Sequence, residues 1–163
     1  ANTMAKYCEN MRKTGVDGVF YAALGMARTG YFTLDEWNEF CKPYDLIAME
    51  PIADLPNLVH TCGIYGNPER FTDYPCRVIH WAASAPGNPP MKGSSEWLKG
   101  KIAMGGCDER PFGQDKADVI DEMCRITLTE MKGTPFLMAP ECSVSPNVLD
   151  SELRAFRESV EKY

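Results

Sequence analysis

The chain has 163 residues, 44% hydrophobic and 25% charged, with a formal net charge of -6. That length suits one domain spanning 1–163, able to bury about 68–70% of its unfolded surface, and an acidic balance with no basic block argues against nucleic acid and anionic membranes as partners. No apolar run approaches the roughly 20 residues of a bilayer span, no signal-peptide pattern opens the chain, and seven cysteines form no disulfide-like framework, so reduced thiols in a cytoplasm are expected.

Met4, Tyr7, Cys8 and Met11 recur with helical spacing, and Gly15 stops that helix. Gly18–Ala23 reads as a buried strand. Thr33 and Glu36 form a capping box that opens a helix carrying Leu34, Trp37, Phe40 and Cys41 inward, which Pro43 ends or bends. Residues 44–55 are partly helical and lead into a strand over Leu58–Cys62. Asn67-Pro68 predicts an N-cap and a short helix to about Asp73. Cys76–Ala82 is the third strand. A glycine- and proline-rich loop, Ala85–Gly93, and a short helix near Ser95–Lys99 precede the fourth strand, Ile102–Gly106. Ile120, Met123, Cys124, Thr127, Leu128 and Met131 form the stripe of a helix over about 115–132. Pro135–Ala139 is the fifth strand, and Leu149, Leu153, Phe156 and Val160 keep helical spacing and mark a last helix. Cys8, Cys41 and Cys124 fall on apolar helix faces as small hydrophobes.

Alternating strands and helices imply a parallel sheet, and right-handed crossovers put every strand's C-terminal end on one side. His60 and Cys62 lie at one such end, where alternation turns both side chains to the same face. Cys142 follows another. An imidazole and two thiols so placed can close on a zinc ion and leave a fourth position open for chemistry. The competing reading is a core histidine with two inert thiols. Asp108, Glu109 and Arg110 follow Gly105-Gly106 on the same side, which fits either ligand contact, with Asp108 and Arg110 as the substrate-binding pair, or a local ion pair. His80 fits a hydrogen-bonded strand residue. Glu141 could orient a ligand or serve as one, although alternation points it away from Cys142. No residue is singled out as a catalytic acid, base or nucleophile; no Ser-His-Asp set, P-loop or dinucleotide fingerprint occurs.

The motifs Gly15–Phe20, Leu58-Val59-His60-Thr61-Cys62-Gly63, Ile79-His80-Trp81, Gly105–Arg110 and Ala139-Pro140-Glu141-Cys142 resemble the C-terminal half of the uroporphyrinogen decarboxylase superfamily. Within it they are most similar to the zinc-dependent methylcobamide:coenzyme M methyltransferase branch and, more distantly, to cobalamin-independent methionine synthase. The resemblance implies zinc held by His60, Cys62 and Cys142, a corrinoid or similar methyl donor, and a small thiol or corrinoid protein as partner. Two departures stand out. The methionine synthases supply a glutamate ligand near the end of the next strand, where Ala82-Ala83-Ser84 carries no carboxylate. Family members are also complete eight-stranded barrels, whereas five strands are countable here.

The fold class expected is therefore α/β, parallel βα repeats forming a partial, five-stranded TIM-type barrel. Its free edges call for a partner strand, met by a homodimer or by a missing N-terminal half. The leading function is a zinc-dependent methyltransferase acting on a thiol. The alternatives are a metal-free decarboxylase-like protein for carboxylated substrates and a non-catalytic barrel fragment.

Overall fold

In a computed structural model that describes residues 1–163, five strands form one sheet in the order β1 (Phe20–Leu24), β2 (Leu58–Thr61), β3 (Val78–His80), β4 (Ile102–Cys107) and β5 (Phe136–Pro140). All four neighbouring pairs are parallel. The helices α1 (Asn2–Lys13), α2 (Leu34–Phe40), α3 (Lys42–Met49), α4 (Ala117–Glu130) and α5 (Asp150–Lys162) fill the crossovers, with short 3-10 turns at Glu50–Ile52, Pro68–Phe71 and Ser94–Glu96. The chain is thus a five-stranded partial TIM-type barrel, as the alternation predicts. No helix is long and apolar enough to cross a membrane.

Strand register decides what faces what. Tyr21, Val59, Ile79, Ala103 and Phe136 form one row across the sheet. All five belong to, or pack against, the main core, which also holds Trp37, Met49, Ile52, Phe71 and Tyr74. The next row is Ala22, His60, His80, Met104 and Leu137. Period-two alternation turns it to the opposite face, the inner wall of the barrel. No further helix or strand covers that wall: Phe20, Leu24 and Leu137 are 53%, 57% and 46% exposed, although His60 and His80 in its middle are buried. A smaller core of Cys107, Phe112, Ile120 and Cys124 joins β4 to α4.

Several local expectations hold. Thr33 Oγ1 accepts from the Glu36 N–H while the Glu36 carboxylate accepts from the Thr33 N–H, the reciprocal capping box. Pro43 stands in the first turn of α3, so the chain forms two helices rather than one bent helix. Cys8, Cys41 and Cys124 are buried.

Other expectations need correcting. Asn67 does stand at the N-cap of a short helix with Pro68 in its first turn, but the helix is a 3-10 turn over Pro68–Phe71 and the Asn67 side chain makes no capping hydrogen bond to it. Asn67 adopts a left-handed conformation, φ 46°, and its amide donates instead to the Ala27 and Tyr65 carbonyls. The stripe assigned to α1 is buried at Cys8 alone, with Met4 and Tyr7 exposed, and in α2 Leu34 and Phe40 are exposed while Trp37 is inside. In α5 the buried row is Glu152 and Ser159, with Phe156 against Phe112, while Leu149, Leu153 and Val160 are exposed. The reason is a polar contact described below: Glu152 is drawn inward by four backbone N–H groups, and that rotates the helix.

Candidate metal centre

His60 and His80 are register partners on β2 and β3, and their rings lie 4.7 Å apart with Phe20 against both. His80 Nε2 sits 2.8 Å from the Pro140 carbonyl and so ties β3 to the end of β5, two residues before Cys142. It is a hydrogen-bonded strand residue, as expected. Glu141 anchors the same turn. Its carboxylate accepts from the Ser84 N–H at 3.1 Å and the Ser84 hydroxyl at 2.5 Å. A carboxylate therefore does reach the end of β3, contributed by β5 rather than by the Ala82-Ala83-Ser84 segment.

On the other side, the Arg28 Nε–H donates to the Cys62 carbonyl at 3.0 Å. Gly63 follows with φ 75°, and a Cβ there would overlap the Arg28 guanidinium. The left-handed conformation favours glycine here, and a Cβ would in addition push the Arg28 guanidinium aside. Asn88 completes the frame: its amide donates to the Gly63 and Ala82 carbonyls, and its oxygen accepts from the Gly66 N–H. Gly63→Ala should destabilise the chain by about 1–3 kcal/mol and displace Cys62, read as a lower urea midpoint together with weaker metal uptake.

This frame brings His60, Cys62 and Cys142 together. One ligand atom from each lies within 4.8 Å of the others. The Cys62 and Cys142 sulfurs are 3.8 Å apart. A disulfide would need about 2.05 Å, whereas two thiolates at about 2.3 Å from one tetrahedral ion stand about 3.8 Å apart. His60 is 6% exposed and its Nδ1 is buried without a hydrogen-bond partner. Burial, and then the charge of His80, lower its pKa to about 4, so the imidazole is neutral and keeps a lone pair to give. Burial pushes the Cys62 thiol up, with the Cys142 thiol adding to the effect; a cation between them would reverse that, since coordinated thiols are deprotonated. The donor set, its spacing and the orphaned nitrogen all fit a zinc-type ion.

The two sulfurs open onto a cavity of about 250 Å³ whose lining includes Ser84, Asp108, Glu109, Arg110 and Glu141. Asp108 and Arg110 are paired, with the guanidinium Nε–H and Nη2–H donating to the carboxylate at 2.9 and 2.5 Å. Arg110, chiefly through those hydrogen bonds, holds Asp108 below the usual carboxylate range. The ion pair and the position beside the thiols thus coexist. Burial raises the Glu141 carboxyl, which is 2% exposed. Sequence reasoning missed the Glu141–Ser84 clasp and the Arg28 and Asn88 anchors, because their partners lie 57, 34 and 25 residues away.

The chain is similar to several solved structures, among them those of two proteins. One is a methyltransferase from Methanosarcina mazei, with a TM-score of 0.79, 14% identity, and coverage of 99% of this chain and 46% of that one. The other is a B12-independent methionine synthase from Shewanella sp. W3-18-1 in complex with selenomethionine, with a TM-score of 0.70, 15% identity, and coverage of 98% of this chain and 52% of that one. The chain therefore spans about half the length of the structures it matches. At these identities the likeness shows a shared fold. No family model and no curated protein matches the sequence.

Proposed function

We propose that this chain carries the thiol-activating metal centre of a methyltransferase, in which His60, Cys62 and Cys142 hold zinc and a substrate thiol accepts a methyl group from a corrinoid-type donor. The observation that carries the reading is the 3.8 Å spacing of two free thiols beside a buried, unpartnered imidazole nitrogen. The names of the two similar folds, a methyltransferase and a methionine synthase, support methyl transfer; the corrinoid donor rests on the sequence resemblance.

Bound zinc would supply a Lewis acid that keeps a substrate thiol ionised near neutral pH. The residues of the chain do the rest. Glu141 and Ser84 fix the turn that presents Cys142, His80 holds the Pro140 carbonyl, and Arg28 holds the Cys62 carbonyl. Asp108 and Arg110 form one wall of the cavity through which a substrate reaches the sulfurs. Protein purified without chelators should hold about one zinc per chain, and Cys142→Ser should weaken binding at least about 100-fold, since one of three donors is lost. Folded protein that takes up no zinc would overturn the reading.

The bare inner wall and free edges of β1 and β5 further support association of two copies, with an interface above about 2,000 Å². Sedimentation at micromolar concentration should show a species about twice the 18.2 kDa of the chain. A monomer that unfolds cooperatively would refute the dimer.

A further inference from the structure

The walls of the cavity beside Cys62 and Cys142 are unequal in charge. Asp108, Glu109, Arg110 and Glu141 are its charged lining residues, three acids against one base. The base is already spent, because Arg110 is bound through two nitrogens to Asp108. Glu109 is half-buried, has no ion-pair partner, and lines the same cavity as Cys62, Cys142 and Glu141. Arg28, whose guanidinium packs beside Gly63, gives its Nε–H to the Cys62 carbonyl and does not itself line the cavity.

A second cavity of about 270 Å³ shares Ser84, Asp108 and Glu141 with the first, adds Glu130, and has no basic residue in its lining. A divalent ion held by two thiolates and a neutral imidazole adds no net charge of its own. Whatever enters to reach that ion therefore meets a negative field, and clefts of one sign concentrate ligands of the other.

We infer that the thiol received at this site carries a protonated amine rather than a sulfonate, phosphate or carboxylate tail. The inference rests on the metal-and-thiol reading of the preceding subsection and specifies its substrate class. The sulfur would point to His60, Cys62 and Cys142, and the ammonium group to Glu109, the unpaired acid of the wall. Specificity of this kind is a difference between affinities, gained by pairing one charge and by repelling the other.

The test uses the 163-residue chain loaded with cobalt(II), whose thiolate charge-transfer band reports an added sulfur ligand. Three thiols of the same length are titrated at one pH: 2-aminoethanethiol, 2-hydroxyethanethiol and 2-sulfanylethanesulfonate. The aminothiol should bind at least about tenfold more tightly than the sulfonate, with the alcohol between them. Glu109→Gln should shrink that ratio several-fold. The change in ratio cancels the differing acidities of the three thiols. Equal binding of all three, or a preference for the sulfonate, would overturn the charge inference and leave the thiol reading standing. Cobalt uptake with no response to any thiol would instead overturn the thiol reading and this inference with it.

Discussion

Zinc loading should raise the thermal midpoint of this chain by roughly 8–16 °C. The ligands come from the end of β2 and from the turn after β5, and Cys62 and Cys142 are 80 residues apart in sequence. An unfolded chain cannot hold them together, so binding free energy is added to folding free energy. At a free metal concentration 1,000 times the dissociation constant, the gain is about 4.1 kcal/mol. For a domain of this size each kcal/mol moves the midpoint by about 2–4 °C. Calorimetry of the same preparation with excess zinc and with a chelator measures the difference. Cys142→Ser, binding about 100-fold more weakly at the same zinc concentration, should gain only about 1.4 kcal/mol, roughly 3–6 °C. A wild-type chain indifferent to zinc would remove the basis for a metal centre.

Glu152→Gln should lower the midpoint at pH 7 by at least about 5 °C, as expected when a charge-assisted hydrogen-bond set is broken inside a domain. The Glu152 carboxylate accepts from the backbone N–H groups of Leu149, Gly113, Lys116 and Gln114. An ionised carboxylate has only acceptors, so it matches four donors. A glutamine amide would turn an NH2 toward some of them. The N–H of Leu149, helped by Gly113, Lys116 and Gln114, lowers the Glu152 pKa to about 2, against a usual value near 4.3. A depressed folded-state pKa means that the stabilisation is complete above the unfolded value and is lost as pH falls from about 4.5 toward 2. Wild type should therefore lose stability across that window more steeply than Glu152→Gln. Parallel acid profiles for the two proteins would show that the loop does not depend on the charge.

The contrast between Glu152 and His60 shows what sequence reveals in this fold. His60 and Cys62 are two residues apart on one strand, so alternation alone puts them on the same face, and the parallel topology brings Cys142 to the same end. Nothing so local marks Glu152, whose partners at Gly113–Lys116 arrive from a different crossover. Without that contact, Leu149, Leu153 and Val160 look like the packed side of α5. Glu141 was similarly ambiguous: alternation correctly turned it from Cys142, but only the folded chain shows Ser84 waiting there. The exposed Met4, Tyr7, Phe20 and Leu24 have a different cause. Apolar periodicity says that a face is suited to burial and not that the same chain covers it.

The row that joins His60 to Leu137 also has a mechanical consequence. The ends of β2 and β5 are separated by β3 and β4. Three strand spacings along a sheet amount to about 14 Å, yet the two sulfurs meet at 3.8 Å. An ion held there would act as a chord across an arc, resisting any tendency of the half-barrel to flatten. Metal affinity would then gauge curvature: whatever docks on the inner wall and tightens the arc should strengthen the centre, and whatever flattens it should release the ion.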